Sequence, residues 1–83
     1  MVTVLFFAKV REDLDCRQLQ WPLAESCSVA QLKQQLVDQH GGRWSAVLGA
    51  DNIICAVNQQ VVDHHHPVLQ GDEVAFYPPV TGG

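Results

Sequence analysis

The sequence is poor in basic residues and lacks paired cysteines, and each absence excludes classes of function. Its 83 residues include five Lys plus Arg against nine Asp plus Glu, which gives a net charge of −4. Such a surface is poorly suited to a nucleic-acid backbone, which basic patches recognise. The three cysteines form neither a disulfide framework nor a Cys-x-x-Cys metal pair, so we expect a reducing cytoplasm.

Signals for export, membrane insertion and catalysis are also missing. No basic stretch precedes the apolar residues 5–7, and Lys9 interrupts the run, so we expect neither a signal peptide nor a membrane span. Gly41-Gly42 follows a predicted helix rather than a strand, which is the wrong context for a phosphate loop. The histidines at 64–66 predict a solvated loop rather than a metal site, because alternate side chains of an extended segment point apart. We therefore expect any reactive group to be the chain terminus.

Alternating apolar residues predict strands at both ends of the chain. Residues 2–10 predict a first strand with Val2, Val4, Phe6, Ala8 and Val10 on its core face. Residues 11–15 predict a turn, and residues 17–21 a second strand that pairs back as a hairpin. Leu19 and Trp21 are its inward residues. Residues 53–57, 61–62 and 73–77 predict the remaining strands, with residues 63–70 as a loop.

The middle of the chain predicts a helix. Ser28 and Gln31 fit a capping box, and apolar residues then repeat at helical spacing as far as Val37. Gly41-Gly42 ends this helix, and residues 43–48 predict a short helical turn. The resulting order predicts an α+β fold: a mixed sheet of about five strands, with one main helix packed across it. The first and last strands should lie parallel in the sheet centre.

Residues 1–77 are predicted to form one domain, and residues 78–83 a C-terminal arm. Pro78-Pro79 stops the last strand, because proline donates no ladder hydrogen bond. The six residues of the arm reach roughly 20 Å when extended. A frayed terminus is one interpretation. The other is a slim arm whose terminal carboxylate enters another protein's active site.

Three segments carry a family resemblance: Leu-Phe-Phe-Ala-Lys-Val-Arg-Glu at 5–12, Ala-Val-Asn-Gln at 56–59, and residues 66–83. They resemble the small, sulfur-carrying subunit of molybdopterin synthase. The resemblance implies a ubiquitin-like β-grasp fold. It implies that Gly83 is the reactive residue, adenylated by a ubiquitin-activating-type enzyme that uses ATP and then converted to a thiocarboxylate. That sulfur would pass to a cyclic pyranopterin precursor to form the dithiolene, with no stably bound cofactor or metal.

The resemblance also implies a partner. Gly82 and Thr81 would enter the active site of the large synthase subunit, which supplies the catalytic residues, in a heterotetramer of two small and two large subunits. Strand parity places Phe7 and Tyr77 on the sheet face away from the helix, where they would dock the partner. Arg11 would lie at the rim, and Val61 would join if it points outward.

Other functions stay open at this stage. A thiamine-pathway sulfur carrier also ends in Gly-Gly, although residues 5–8 and 77–80 resemble the molybdopterin family specifically. A ubiquitin-like modifier would join target lysines through Gly83. A β-grasp interaction domain with an inert tail is the simplest alternative.

Overall fold

The computed structural model describes residues 1–50 and 52–78. In chain order the elements are β1 (Val2–Phe6), α1 (Ala8–Leu14), β2 (Gln18–Trp21), β3 (Cys27–Ser28), α2 (Val29–His40), α3 (Gly42–Leu48), β4 (Ile54–Val57), β5 (Gln60–Val62), β6 (Pro67–Val68) and β7 (Glu73–Tyr77). Apart from Pro78, the predicted arm lies outside the described residues.

The longer strands form one mixed sheet in the order β2-β1-β7-β4-β5. β1 and β7 run parallel in its centre, with Val4 opposite Val74 and Phe6 opposite Phe76. β2 pairs antiparallel with β1, and β4 pairs antiparallel with both β7 and β5. The predicted central position of the first and last strands is confirmed. The chain therefore leaves the domain from the middle of the sheet.

One face of the sheet, called the inner face below, packs against the helices. The buried core consists of Val2, Val4, Phe6, Val10, Leu14, Leu23, Val29, Leu32, Leu36, Trp44, Leu48, Cys55, Val57, Val68, Val74 and Phe76. At its centre the rings of Phe6 and Phe76 stack at 5.9 Å, and Trp44 meets Phe6 edge-on at 5.3 Å. Leu19 and Trp21 of β2 are half-buried against this core, as predicted.

α2 begins and ends where the sequence predicts. The Ser28 hydroxyl accepts a hydrogen bond from the backbone N–H of Gln31 at 3.1 Å, and the Gln31 side chain accepts one from the Ser28 N–H at 2.9 Å. Gly41 ends the helix with a φ of 90°, a conformation that favours glycine. α3 follows at once and buries Trp44 and Leu48, which confirms the predicted helical turn.

The prediction for the first strand was wrong beyond residue 6. Residues 8–14 form α1, where the sequence predicted the end of a strand and a charged turn. Ala8 takes a φ of 53°, which breaks the alternation. Val10 and Leu14, four residues apart, are both buried, and Lys9 Nζ lies 3.3 Å from Asp13 Oδ1 on the exposed side. The burial of residues four apart therefore follows the spacing of a helix and not the alternation of a strand. A helix, and not a hairpin turn, connects β1 to β2.

The loop predicted at residues 63–70 contains a short strand, β6, which pairs with β3. Val68 of this strand is completely buried. The backbone carbonyls of His66 and His64 accept hydrogen bonds from the N–H groups of Val29 and Ala30 at 3.0 and 2.9 Å. This segment therefore satisfies donors in the first turn of α2 that have no partner within the helix.

Candidate functional site

β7 carries the chain to the point where the predicted arm begins. The strand lies between β1 and β4, so it is hydrogen-bonded along both edges. Tyr77, its last residue, pairs with Ile54, and Pro78 follows. Thr81, Gly82 and Gly83, which the sequence predicts to enter a partner's active site, lie outside the described residues. The described part thus provides a firmly held starting point for the arm.

Phe7 and Tyr77 form a stacked aromatic pair beside this starting point. Their ring centroids are 4.7 Å apart, and their planes differ by 5°. The Phe7 N–H donates to the Phe76 carbonyl oxygen at 3.1 Å, which extends the β1–β7 ladder one residue past β1. Phe7 is 36% exposed and Tyr77 is half-buried. The predicted proximity of the two side chains is confirmed, and their part in binding stays a prediction.

The sheet face opposite the helices is apolar across several strands. Strand pairing aligns Leu5 with Ala75, Ala75 with Ala56, and Ala56 with Val61, so these side chains share one face. Val61 is 73% exposed and therefore points outward. We call this surface the outer apolar face, and its members are Leu5, Phe7, Ile54, Ala56, Val61, Ala75 and Tyr77.

Charged side chains border the outer apolar face. Arg11 is exposed and lies one helical turn beyond Phe7, whose carbonyl accepts a hydrogen bond from the Arg11 N–H at 3.4 Å. Glu73 lies two residues before Ala75, at the other end of β7. An apolar centre with a polar border is the usual anatomy of a protein interface.

Among the grooves of the described surface, one adjoins the arm. A groove of about 250 Å³ lies between α1 and α3, and Pro78 forms part of its wall. A more open groove of about 540 Å³ runs along the β5 edge, lined by Lys33, Cys55 and Val62 among others. Tyr77 and Pro78 are not among the residues that line this larger groove. The smaller groove is therefore the one that a molecule handling the arm would meet.

The cysteines are not activated as nucleophiles. Burial raises the pKa of Cys55 to about 11, and the nearby Lys33 partly offsets this effect. Burial also raises the pKa of the Cys16 and Cys27 thiols. Thiols of this kind are protonated at neutral pH and react slowly.

Residues 1–50 and 52–78 contain neither a metal-binding cluster nor a membrane-spanning helix. In that part of the chain, no three His, Cys, Asp or Glu side chains are grouped so that they could hold a metal ion. No helix there is both long enough and apolar enough to cross a bilayer.

Sequence reasoning missed Ile54 and Ala56 as members of the outer apolar face. The side of the sheet on which they lie becomes clear when the strand at 53–57 is paired with the last strand. Tyr77 is then opposite Ile54, and Ala75 is opposite Ala56. The groove of 250 Å³ could not be found in this way. Its wall includes α1, in a segment that the sequence predicted as strand and turn.

Comparison with known proteins gives full-length matches. The ThiS family profile matches residues 4–83. The chain is 44% identical to the molybdopterin synthase sulfur carrier subunit of Escherichia coli (strain K12), and the alignment covers all of both chains. It is 36% identical to the subunit of the same name from Haemophilus influenzae, again over all of both chains.

Solved structures with this fold are also found. SAMP1 from Haloferax volcanii matches with a TM-score of 0.77 and 23% identity, covering 99% of this chain and 98% of that one. A chain in the complex of subunits 1 and 2 of molybdopterin-converting factor from Helicobacter pylori matches with a TM-score of 0.67 and 24% identity. That match covers 99% of this chain and 97% of the other. These likenesses show the predicted ubiquitin-like β-grasp fold.

Proposed function

The chain belongs to the ThiS family, and we propose that it is the sulfur carrier subunit of a molybdopterin synthase. The observation that carries this proposal is the full-length identity of 44% to the Escherichia coli subunit. The structure supports it with a central strand, held on both edges, that ends directly before a sequence closing in Gly82-Gly83. Such a strand can present a narrow arm in a fixed direction.

The reactive group in this proposal is the carboxylate of Gly83. A carboxylate is a poor electrophile, so it must first be activated. One carboxylate oxygen attacks the α-phosphate of ATP on a ubiquitin-activating-type enzyme, and pyrophosphate leaves. Sulfur at the oxidation level of sulfide, delivered as hydrosulfide, then attacks the acyl adenylate; AMP and a proton leave, which gives a thiocarboxylate at Gly83. We place this chemistry in the cytoplasm, where reducing conditions protect the sulfur from oxidation.

Sulfur transfer takes place on the large subunit. The thiocarboxylate is ionised at neutral pH and is a soft nucleophile, so it attacks a carbon of the cyclic pyranopterin precursor; the carbon–oxygen bond at that carbon breaks, and its oxygen leaves as water or as phosphate oxygen. Hydrolysis of the acyl–sulfur bond returns the carboxylate to Gly83 and leaves the sulfur on the precursor. Two such transfers build the dithiolene. Thr81 and Gly82 occupy the approach to the active site, where glycine fits because it has no Cβ.

The outer apolar face is the surface by which the small subunit docks. It places the stacked rings of Phe7 and Tyr77 at the root of the arm and the exposed Val61 two strands away. Aromatic residues of this kind supply much of the energy of protein interfaces. Arg11 lies at the border. The Helicobacter pylori chain with this fold is found in a complex of subunits 1 and 2, which supports a two-subunit assembly here. We propose a heterotetramer of two small and two large subunits.

Changing the length of the arm by one residue tests the proposal. Adding an alanine after Gly83 moves the carboxylate by roughly 3.3 Å and introduces a Cβ, and deleting Gly83 shortens the arm by the same step. Displacement by even 1 Å can cost about a hundredfold in a positioned reaction. We expect dithiolene formation with the activating enzyme, large subunit and precursor to be lost. Thermal stability should not change, because the altered position lies outside the domain at 1–77.

Intact mass spectrometry of the protein from its native cell provides a second readout. We expect one oxygen at the C-terminus to be replaced by sulfur. Normal turnover by the extended variant would contradict the assignment to Gly83. Conjugates to lysines of other proteins, without free thiocarboxylate, would instead favour a ubiquitin-like modifier.

A further inference from the structure

The groove between α1 and α3 has the size and lining of a site for a side chain. Its volume of about 250 Å³ is below the roughly 300–1,000 Å³ that is typical of small-molecule sites. Val10, Val47 and Ile53 contribute apolar walls. Lys9 and Asp13 also line it, and their ion pair at 3.3 Å is largely exposed. The site therefore combines an apolar interior with a charged border, which suits an apolar side chain of a protein partner.

The position of the groove ties it to the arm. Pro78, the residue from which the arm departs, is part of the wall. Tyr77, which stacks on Phe7, directly precedes Pro78, and Lys9 follows Phe7 by two residues. The arm therefore starts between two apolar features, the aromatic stack on one side and the groove on the other. A protein that encloses the arm must meet both.

We propose that this groove is a second docking point for the large subunit and that it receives an apolar side chain from the mouth of the channel that admits Gly82-Gly83. This inference rests on the proposed function. The outer apolar face holds the sheet of the small subunit against the large subunit. An anchor in the groove adds a contact on the helix side of the arm, so the start of the arm is held from two directions. Such a clamp positions a terminus in which small displacements are costly.

The test fills the groove from within. Ala46 lines the groove, and its side chain is exposed, so Ala46→Trp adds bulk without disturbing the core. Ala24→Trp adds the same side chain at an exposed position that does not line the groove. We expect Ala46→Trp to raise the Kd for the large subunit of the same organism about tenfold or more, and Ala24→Trp to leave it within about twofold. Thermal unfolding followed by circular dichroism checks that both variants fold.

Cross-linking gives a result that does not depend on loss of affinity. A benzoylphenylalanine at position 52, an exposed residue at the edge of the groove, should cross-link to an apolar residue at the channel mouth of the large subunit, and the same group at position 24 should not. If wild type binds and both tryptophan variants bind equally well without a cross-link from position 52, the groove is not a docking point while the proposed function stands. If wild type itself does not bind the large subunit and shows no sulfur transfer, the proposed function fails, and this inference fails with it.

Discussion

Two aromatic pairs on the same two strands differ by a single residue step and face opposite environments. Phe6 and Phe76 stack on the inner face and are 1% and 0% exposed. Phe7 and Tyr77 stack on the outer side, where Phe7 is 36% exposed and Tyr77 half-buried. The parallel register of β1 and β7 keeps both pairs aligned. The same two strands therefore carry one aromatic pair that is buried in the core and one that is partly exposed to solvent.

The difference lies in what surrounds each pair. The inner pair contacts Trp44 and belongs to the continuous core, so its removal would leave a cavity. The outer pair is only partly covered, with Phe7 36% exposed, and its free surface can be covered by a partner. One pair thus stabilises the domain, and the other is available for binding at the root of the arm.

The largest effect should come from emptying the inner site. Phe6→Ala should lower the free energy of unfolding by about 3–5 kcal/mol, the range for truncating a buried aromatic residue. Phe7→Ala should cost about 1 kcal/mol, because it loses a stacked contact that is already half in water. Urea unfolding of both variants measures the two values. Similar losses at residues 6 and 7 would contradict the assignment of these side chains to opposite faces.

The next effect concerns Cys55, which lies opposite Phe76 on the inner face. Its pKa in the folded protein is about 11, raised by burial from an ordinary value of 9.0. The folded state therefore favours the neutral thiol. The stabilisation that comes from burying the neutral Cys55 thiol is complete below about pH 9 and is lost as the pH rises toward about 11. Two pKa units correspond to about 2–3 kcal/mol.

Comparison of wild type with Cys55→Ala isolates this contribution from other groups that titrate at high pH. We expect the difference in unfolding free energy between the two proteins to shrink by about 2 kcal/mol between about pH 8 and 11. Cys27→Ala serves as a control, because Cys27 is only half-buried and should show a smaller change. A difference that does not vary with pH would mean that water reaches the inner face beside Cys55.

These two faces also show how far the sequence can be interpreted. Alternation alone placed Phe6 inward and Phe7 outward, and their exposed fractions of 1% and 36% confirm it. The capping box at Ser28 and the glycine at position 41 were readable because each rests on local hydrogen bonding and backbone conformation. Local chemistry and parity were sufficient for these elements.

The elements that sequence reasoning missed depend on tertiary contacts. Ala8 occupies the left-handed region without being glycine, so no residue type marked the end of β1 there. The pairing of β6 with β3 spans two residues on each strand, which is too short for a periodic pattern. The groove beside Pro78 exists because α1 packs near α3, and its geometry follows from neither segment alone.

The smallest of the three effects tests the outer pair directly. Phe7→Lys and Tyr77→Lys should each raise the Kd for the large subunit about tenfold or more, equivalent to about 1.4 kcal/mol, while the domain stays folded. A lysine at either position places a charge in the apolar centre of the proposed interface, where it must lose its hydration on docking. Isothermal titration calorimetry gives the affinity, and thermal unfolding gives the integrity of the fold.

Gln39→Lys provides a matched control, because it adds the same charge at an exposed position on α2. Val61→Lys should fall between the control and the aromatic variants, since Val61 belongs to the outer apolar face but is 73% exposed on a short edge strand. If both aromatic variants lose cooperative unfolding, the outer pair is part of the core and the contrast with Phe6 and Phe76 disappears. If they unfold normally and bind as tightly as Gln39→Lys, the large subunit docks elsewhere, and the stacked pair serves only to hold the end of β7.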